Sequence, residues 1–181
     1  LFAQWTKSLR GLKANDAIAA AVHRTIVGHM IAKVPEFIDK FLAIRHSAYE
    51  PGYRLRFVLG RMENTLLEKA GLPSMGLSSI GAMQVEHILP QTPRGGVIPA
   101  AYAINAGEYA SLVYRLGNVT LLESSINQAV NNFNNLEVDW FDQKQAEYTN
   151  AAAWTTKLLD ADRSVGKNTE VNRVKNEYGY M

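Results

Sequence analysis

The sequence predicts an α+β fold, predominantly helical, in which a helical bundle encloses a small strand–loop–strand–helix unit. Three observations carry that prediction. Apolar residues recur at helical spacing through most of the first 70 residues. Two short apolar runs, 83–89 and 118–122, read as strands, one closed by Pro90 and the other following Gly117. A chain of 181 residues with 47% hydrophobic content and no cysteine can bury a sizeable core without covalent staples.

Asn15 or Asp16 suits the N-cap of a helix that carries Ile18, Val22, Ile26 and Met30 on one face. Pro35 suits the first turn of a second helix, with Phe37, Phe41 and Ile44 on a shared stripe. A third is expected from about Tyr53 to Ala70, with Leu55, Leu59, Met62 and Leu66 inward and Gly71 as its stop. Residues Gly71 to Gly81, rich in Gly, Ser and Pro, read as a linker.

The first strand should end before Pro90, which lacks an N–H donor and pushes Leu89 toward extended backbone. A loop over Thr92 to Gly107 and a short helix around Glu108 to Tyr114 lead to the second strand, after which Ser124 or Ser125 offers an N-cap for a helix with Ile126, Asn127 and Val130. The run from Asn131 to Asn135 reads as a helix end and turn, although Asn131 lies one turn beyond Asn127 on the same face. Phe141, Lys144 and Tyr148 recur at helical spacing, which places the rings on the core and leaves the ammonium able to reach a phosphate. A packing helix is expected from Trp154 towards Leu159, and the polar end from Arg163 to Met181 is expected to fray. The organisation is thus a helical lead-in over 1–76, the motif region over 77–150 and a helical extension over 151–181, in one domain.

The motif region holds Glu86-His87-Ile88-Leu89-Pro90-Gln91, then Leu116-Gly117-Asn118-Val119-Thr120-Leu121-Leu122, then Asn127. In this order and spacing it resembles the ββα-metal (HNH, His-Me finger) nuclease domain at the C-terminal end of GmrSD-like and SspE-like modification-dependent restriction proteins. The downstream Phe141, Lys144 and Tyr148 match that family's pattern, and Arg54 to Leu59 with Glu63-Asn64 is similar to its helical lead-in. The likeness covers roughly residues 53 to 148, most of the chain.

The resemblance implies that His87 is a general base, that Glu86 and Asn127 are ligands of Mg²⁺ or Mn²⁺, and that Asn118 braces the loop carrying His87. Lys144 is a candidate for both a catalytic and a phosphate-contacting role. The residue types fit the chemistry. Hydrolysis of a phosphodiester by in-line water needs a base, and a neutral imidazole has an ordinary pKa of about 6.5, near working pH. One hard divalent ion can neutralise the phosphorane and favour departure of the 3′-oxygen, and such ions prefer carboxylate and carbonyl oxygens. Glu86 is one methylene longer than the aspartate that often stands at this position. Adjacent strand residues point to opposite faces, so Glu86 and His87 can share a site only where the strand ends.

Charge is divided unevenly. Residues 77–150 hold three Lys or Arg against seven Asp or Glu, a net −4, whereas residues 1–76 hold eleven against six, a net +5. Phosphate affinity comes from cations, so the lead-in is expected to supply it, with Arg54, Arg56 and Arg61 the first candidates. His23, His29 and His46 have no carboxylate or cysteine partners at ligand spacing and are expected to be structural or exposed.

The expected partner is DNA, phage or foreign, with a nucleotide-dependent sensing domain preceding this region in a parent protein. The start at Leu1, without an initiator methionine, reads as that of a fragment. Absence of cysteine excludes disulfides and cysteine-ligated zinc, and with no apolar run long enough to span a bilayer the expected location is the cytoplasm. A reading from a different class is a non-catalytic nucleic-acid-binding or interaction module that keeps the same fold; it predicts binding without metal-dependent nicking.

Overall fold

In the computed structural model, which describes residues 7, 10, 15–45, 52–93, 96–160 and 169–178, the first helix, α1 (Asn15–Leu42), runs through Pro35. The expected break there does not occur. The proline forgoes one backbone hydrogen bond, and Glu36 pairs with Lys33 at 2.5 Å and with Lys40 at 2.8 Å along the same stretch. On this helix His23 is exposed and His29 half-buried, while His46 lies outside the described residues. The chain divides into two compact units, residues 1–44 and 45–181. No helix among the described residues is long and apolar enough to cross a membrane.

The second unit begins with α2 (Gly52–Lys69), whose buried face is Leu59, Gly60, Glu63, Leu66 and Leu67. Met62, expected inward, is 40% exposed, and Glu63 takes the buried place. The helix stops where Gly71 adopts φ +68°. Leu72 N–H then donates to Leu67 C=O at 2.8 Å and Gly71 N–H to Glu68 C=O at 3.1 Å, the double closure that a left-handed glycine permits. The stretch read as a linker contains a short helix, α3 (Leu77–Ala82), and Ile80 of α3 presses on Gly60.

Strand β1 (Gln84–His87) pairs antiparallel with β2 (Val119–Leu122), Gln84 opposite Leu122 and His87 opposite Val119. β1 is shorter than the apolar run. Ile88 N–H still reaches Asn118 C=O at 2.9 Å, but the next peptide is taken by a side chain rather than by the ladder. Between the strands, α4 (Ala106–Leu112) starts with a reciprocal cap of Asn105 and Glu108, which satisfies two otherwise orphaned donors. Tyr102, Tyr109 and Val113 form a small core that organises the long loop, with Trp140 packed against it.

Helix α5 (Ser124–Asn131) follows β2 directly. Its N-cap is Glu123, without a side-chain cap, rather than either serine; Ser124 Oγ is instead hydrogen-bonded by Gln84 Nε2 at 3.2 Å. A single tight turn over Asn132–Asn135 leads on to α6 (Trp140–Tyr148). Leu122, Val130, Tyr148 and Ala151 make the core behind the strand pair, with Phe141 against it.

The last helices are α7 (Trp154–Lys157) and α8 (Glu170–Tyr178). The expected fraying does not hold for α8, because Val171 and Val174 are buried with Leu66 and Ala70; two valines on one face suffice to dock an otherwise polar helix. Residues 161–168 and 179–181 lie outside the described residues. Buried Glu63 joins α2 to α7: its carboxylate accepts from the backbone N–H groups of Trp154 and Thr155, both at 2.9 Å, and from Thr155 Oγ1 at 2.8 Å. It serves as the N-terminal cap of α7 from 91 residues away.

Candidate active site

His87 is the last residue of β1, and the backbone turns away immediately after it. That turn is held by Asn118. Its Oδ1 accepts from Leu89 N–H at 2.7 Å, and its Nδ2 donates to Leu89 C=O and Val113 C=O, both at 2.9 Å. A carboxamide carries both an acceptor and donors, so one asparagine side chain satisfies the N–H and the C=O of Leu89 together. Tyr109 adds a short hydrogen bond from its hydroxyl to Pro90 C=O.

A cleft of about 230 Å³ opens beside this turn, lined by Glu86, His87, Gln91, Asn127, Asn131 and Asn134 among others. The structure therefore brings Glu86, His87 and Asn127 to one place, with Asn118 behind them. Asn127 is oriented by a relay that starts on β1: Gln84 Nε2 donates to Ser124 Oγ, Gln84 Oε1 accepts from Asn127 Nδ2 at 2.7 Å, and Asn127 Oδ1 is left buried without a hydrogen-bond partner.

Glu86 is turned inward. It is buried and its Oε1 lies 2.7 Å from Lys144 Nζ and 3.3 Å from the Tyr148 hydroxyl, which donates to it. Burial pushes the Glu86 carboxyl above its ordinary range, opposed by the Lys144 ammonium and the Tyr148 hydroxyl. Burial pulls the Lys144 ammonium down against the opposing pull of Glu86, and it pushes the Tyr148 phenol up.

Lys144 differs from its expected role. Its side chain is 0% exposed, and besides Glu86 the ammonium donates to His87 C=O at 3.2 Å and Ile88 C=O at 2.9 Å. An ammonium has three protons, and all three have acceptors inside the protein, so none is left for a phosphate. The lysine clamps the backbone that carries His87.

The arginines lie elsewhere. Arg54 and Arg56 line a second groove of about 440 Å³ with Tyr53, Phe57, Leu77 and Ile80, which shares no residue with the first cleft. Arg54 is exposed, 5.9 Å from the centre of the Tyr53 ring, and Arg61 is exposed two turns further along α2.

Among the described residues no group of three or more His, Asp or Glu side chains is placed to hold a metal ion. The donors at the cleft are instead one carboxylate and carboxamide oxygens. That set suits a hard divalent ion that retains several waters and asks for only one or two protein ligands. Two contributors went unread in the sequence. Gln84 gives no local sign of its partner 43 residues away. Asn134 had a signal, since 127, 131 and 134 follow helical spacing, but it lay inside a run that reads equally well as a turn.

A family model of the C-terminal domain of GmrSD restriction endonucleases matches residues 32–178. No curated protein and no solved structure matches the chain.

Proposed function

This chain belongs to the family of GmrSD restriction endonuclease C-terminal domains, and on that premise we propose that it is a divalent-metal-dependent HNH endonuclease that nicks DNA. The observation that supports this most directly is that His87 and Asn127 line one cleft at the end of β1, the buried carboxamide oxygen of Asn127 being without a hydrogen-bond partner.

His87 takes a proton from the attacking water at its Nε2. Asn118 fixes the peptide of Leu89 and so the turn that follows the imidazole. Lys144 is a positioning residue: it holds the carbonyls of His87 and Ile88 in place and neutralises Glu86. Asn127 and Glu86 are the residues that would hold Mg²⁺ or Mn²⁺. When bound, the ion supplies charge stabilisation at the phosphorane and the departing 3′-oxygen. Arg54, Arg56 and Arg61 supply phosphate affinity from the helical lead-in. In this reading the domain is the effector of an anti-phage restriction system in the cytoplasm, directed onto foreign DNA by a nucleotide-dependent sensing domain of the parent protein.

The test is supercoiled plasmid incubated with the wild type and with His87→Ala, in Mg²⁺ or Mn²⁺ and again with EDTA. Open-circular product is expected from the wild type with metal alone. Undiminished nicking by folded, purified His87→Ala overturns the proposal.

A further inference from the structure

Asn127, Asn131 and Asn134 stand at i, i+4 and i+7 along α5 and the turn that follows it, and all three line the cleft that holds His87. Asn134 is fixed at both ends. Its Nδ2 donates to Asn131 Oδ1 at 3.2 Å, and its backbone carbonyl accepts from the Tyr102 hydroxyl at 2.5 Å. Its Oδ1 is buried without a hydrogen-bond partner, as is that of Asn127. Each carboxamide thus commits its donor group to a neighbouring side chain, and each of these two cleft-lining residues keeps a buried acceptor without a partner.

Buried acceptors are normally satisfied. Two in one cleft call for a ligand that brings positive charge or protons, and they disfavour a bare phosphate, whose oxygens are acceptors themselves. A hydrated divalent cation fits, because Mg²⁺ and Mn²⁺ keep bound waters whose protons need acceptors. We infer that Asn134 is an outer-sphere partner of the ion of the proposed nuclease site, its Oδ1 accepting a hydrogen bond from a metal-bound water, and that Asn131 aims it. This rests on the nuclease reading.

The experiment is calorimetric titration of the full chain with MnCl₂ in the absence of DNA, on the wild type, Asn127→Ala, Asn134→Leu and Asn134→Asp. Loss of a partner outside the direct ligands weakens metal binding roughly 10–100-fold, so Asn134→Leu is expected to weaken Mn²⁺ at the lower end of that range. Asn134→Asp, which preserves shape and adds charge, is expected to bind more tightly than the wild type. Should Asn127→Ala lose Mn²⁺ while both Asn134 variants bind like the wild type, this inference falls and the nuclease reading stands. A wild type that takes up no Mn²⁺ overturns both. If Asn134→Leu fails to fold, Asn134→Asp decides alone, and weaker or unchanged binding there overturns the inference.

Discussion

Lys144 Nζ and Glu86 Oε1 lie 2.7 Å apart with side chains 0% and 4% exposed, and the same ammonium holds the carbonyls of His87 and Ile88. A buried ion pair therefore fastens the strand end that carries the imidazole.

Lys144→Met is expected to destabilise the chain by roughly 3–5 kcal/mol, the usual consequence of stranding a buried charge. Adding Glu86→Gln should recover part of that loss, because the uncompensated carboxylate is then gone. Urea unfolding of the single and double variants checks it; equal stability of the two would show that the carboxylate is not the source of the loss.

Stability should depend on pH through Glu86. Its folded value is raised by burial above the ordinary 4.5, so the folded chain keeps this proton after the unfolded chain has released it. Below 4.5 both states are protonated. As pH rises from there through the raised folded value, deprotonation favours the unfolded chain, and the contribution of this carboxyl to stability falls. Unfolding free energies from pH 4.5 to 7 should therefore decline for the wild type relative to Glu86→Gln. A wild type that instead gains on the variant over that window contradicts the assignment.

Asn118→Asp keeps an acceptor for Leu89 N–H but cannot donate to Leu89 C=O or Val113 C=O. A cost of about 1–3 kcal/mol is expected for the carbonyls left unpaired. Nuclease kcat should fall more than KM rises, since the loss acts on the placement of His87 rather than on DNA affinity. Steady-state nicking assays measure that split.

Gly60→Ala should destabilise despite alanine's better helix propensity. The added Cβ would lie 2.7 Å from Ile80 Cδ1 and Cγ2, and overpacking of this kind costs about 1–3 kcal/mol against a propensity gain of up to about 1 kcal/mol. Ile80→Val in the same chain, which removes one of the two clashing atoms, should restore part of the loss in thermal melts.

If Arg54 and Arg61 meet phosphates, each alanine variant should weaken DNA binding across all sequences and reduce the slope of log K against log salt by about one. Fluorescence anisotropy between low and moderate salt reads this out. An unchanged slope would assign that arginine to solvent.

Local signals were legible. Pro90 and Gly117 bracket the strands, Gly71 stops α2 at a positive φ, and the order of Glu86, His87, Asn118 and Asn127 picked out the residues gathered around one strand end. Each rests on the conformational preference of one residue or on a short spacing, which the chain carries without knowledge of its neighbours. Pro35 shows the limit of such signals, since α1 continues, with Glu36 paired to Lys33 and Lys40 beside it, through a residue that usually starts or ends a helix.

The linear chain by itself specified the kinds of group available and the order in which they arrive: an acid and an imidazole before a proline, two carboxamides further on, helices on either side. Only the folded arrangement decided their partners. Glu86 meets Lys144 across 58 residues, Asn127 meets Gln84 across 43, and Glu63 caps a helix 91 residues away. A polar group withdrawn from water must find a partner wherever the packed core places one, and that choice depends on how helices and strands are stacked in three dimensions rather than on spacing along the backbone. For that reason a lysine that reads as a phosphate contact in one dimension becomes, in three, the buried clamp behind the histidine.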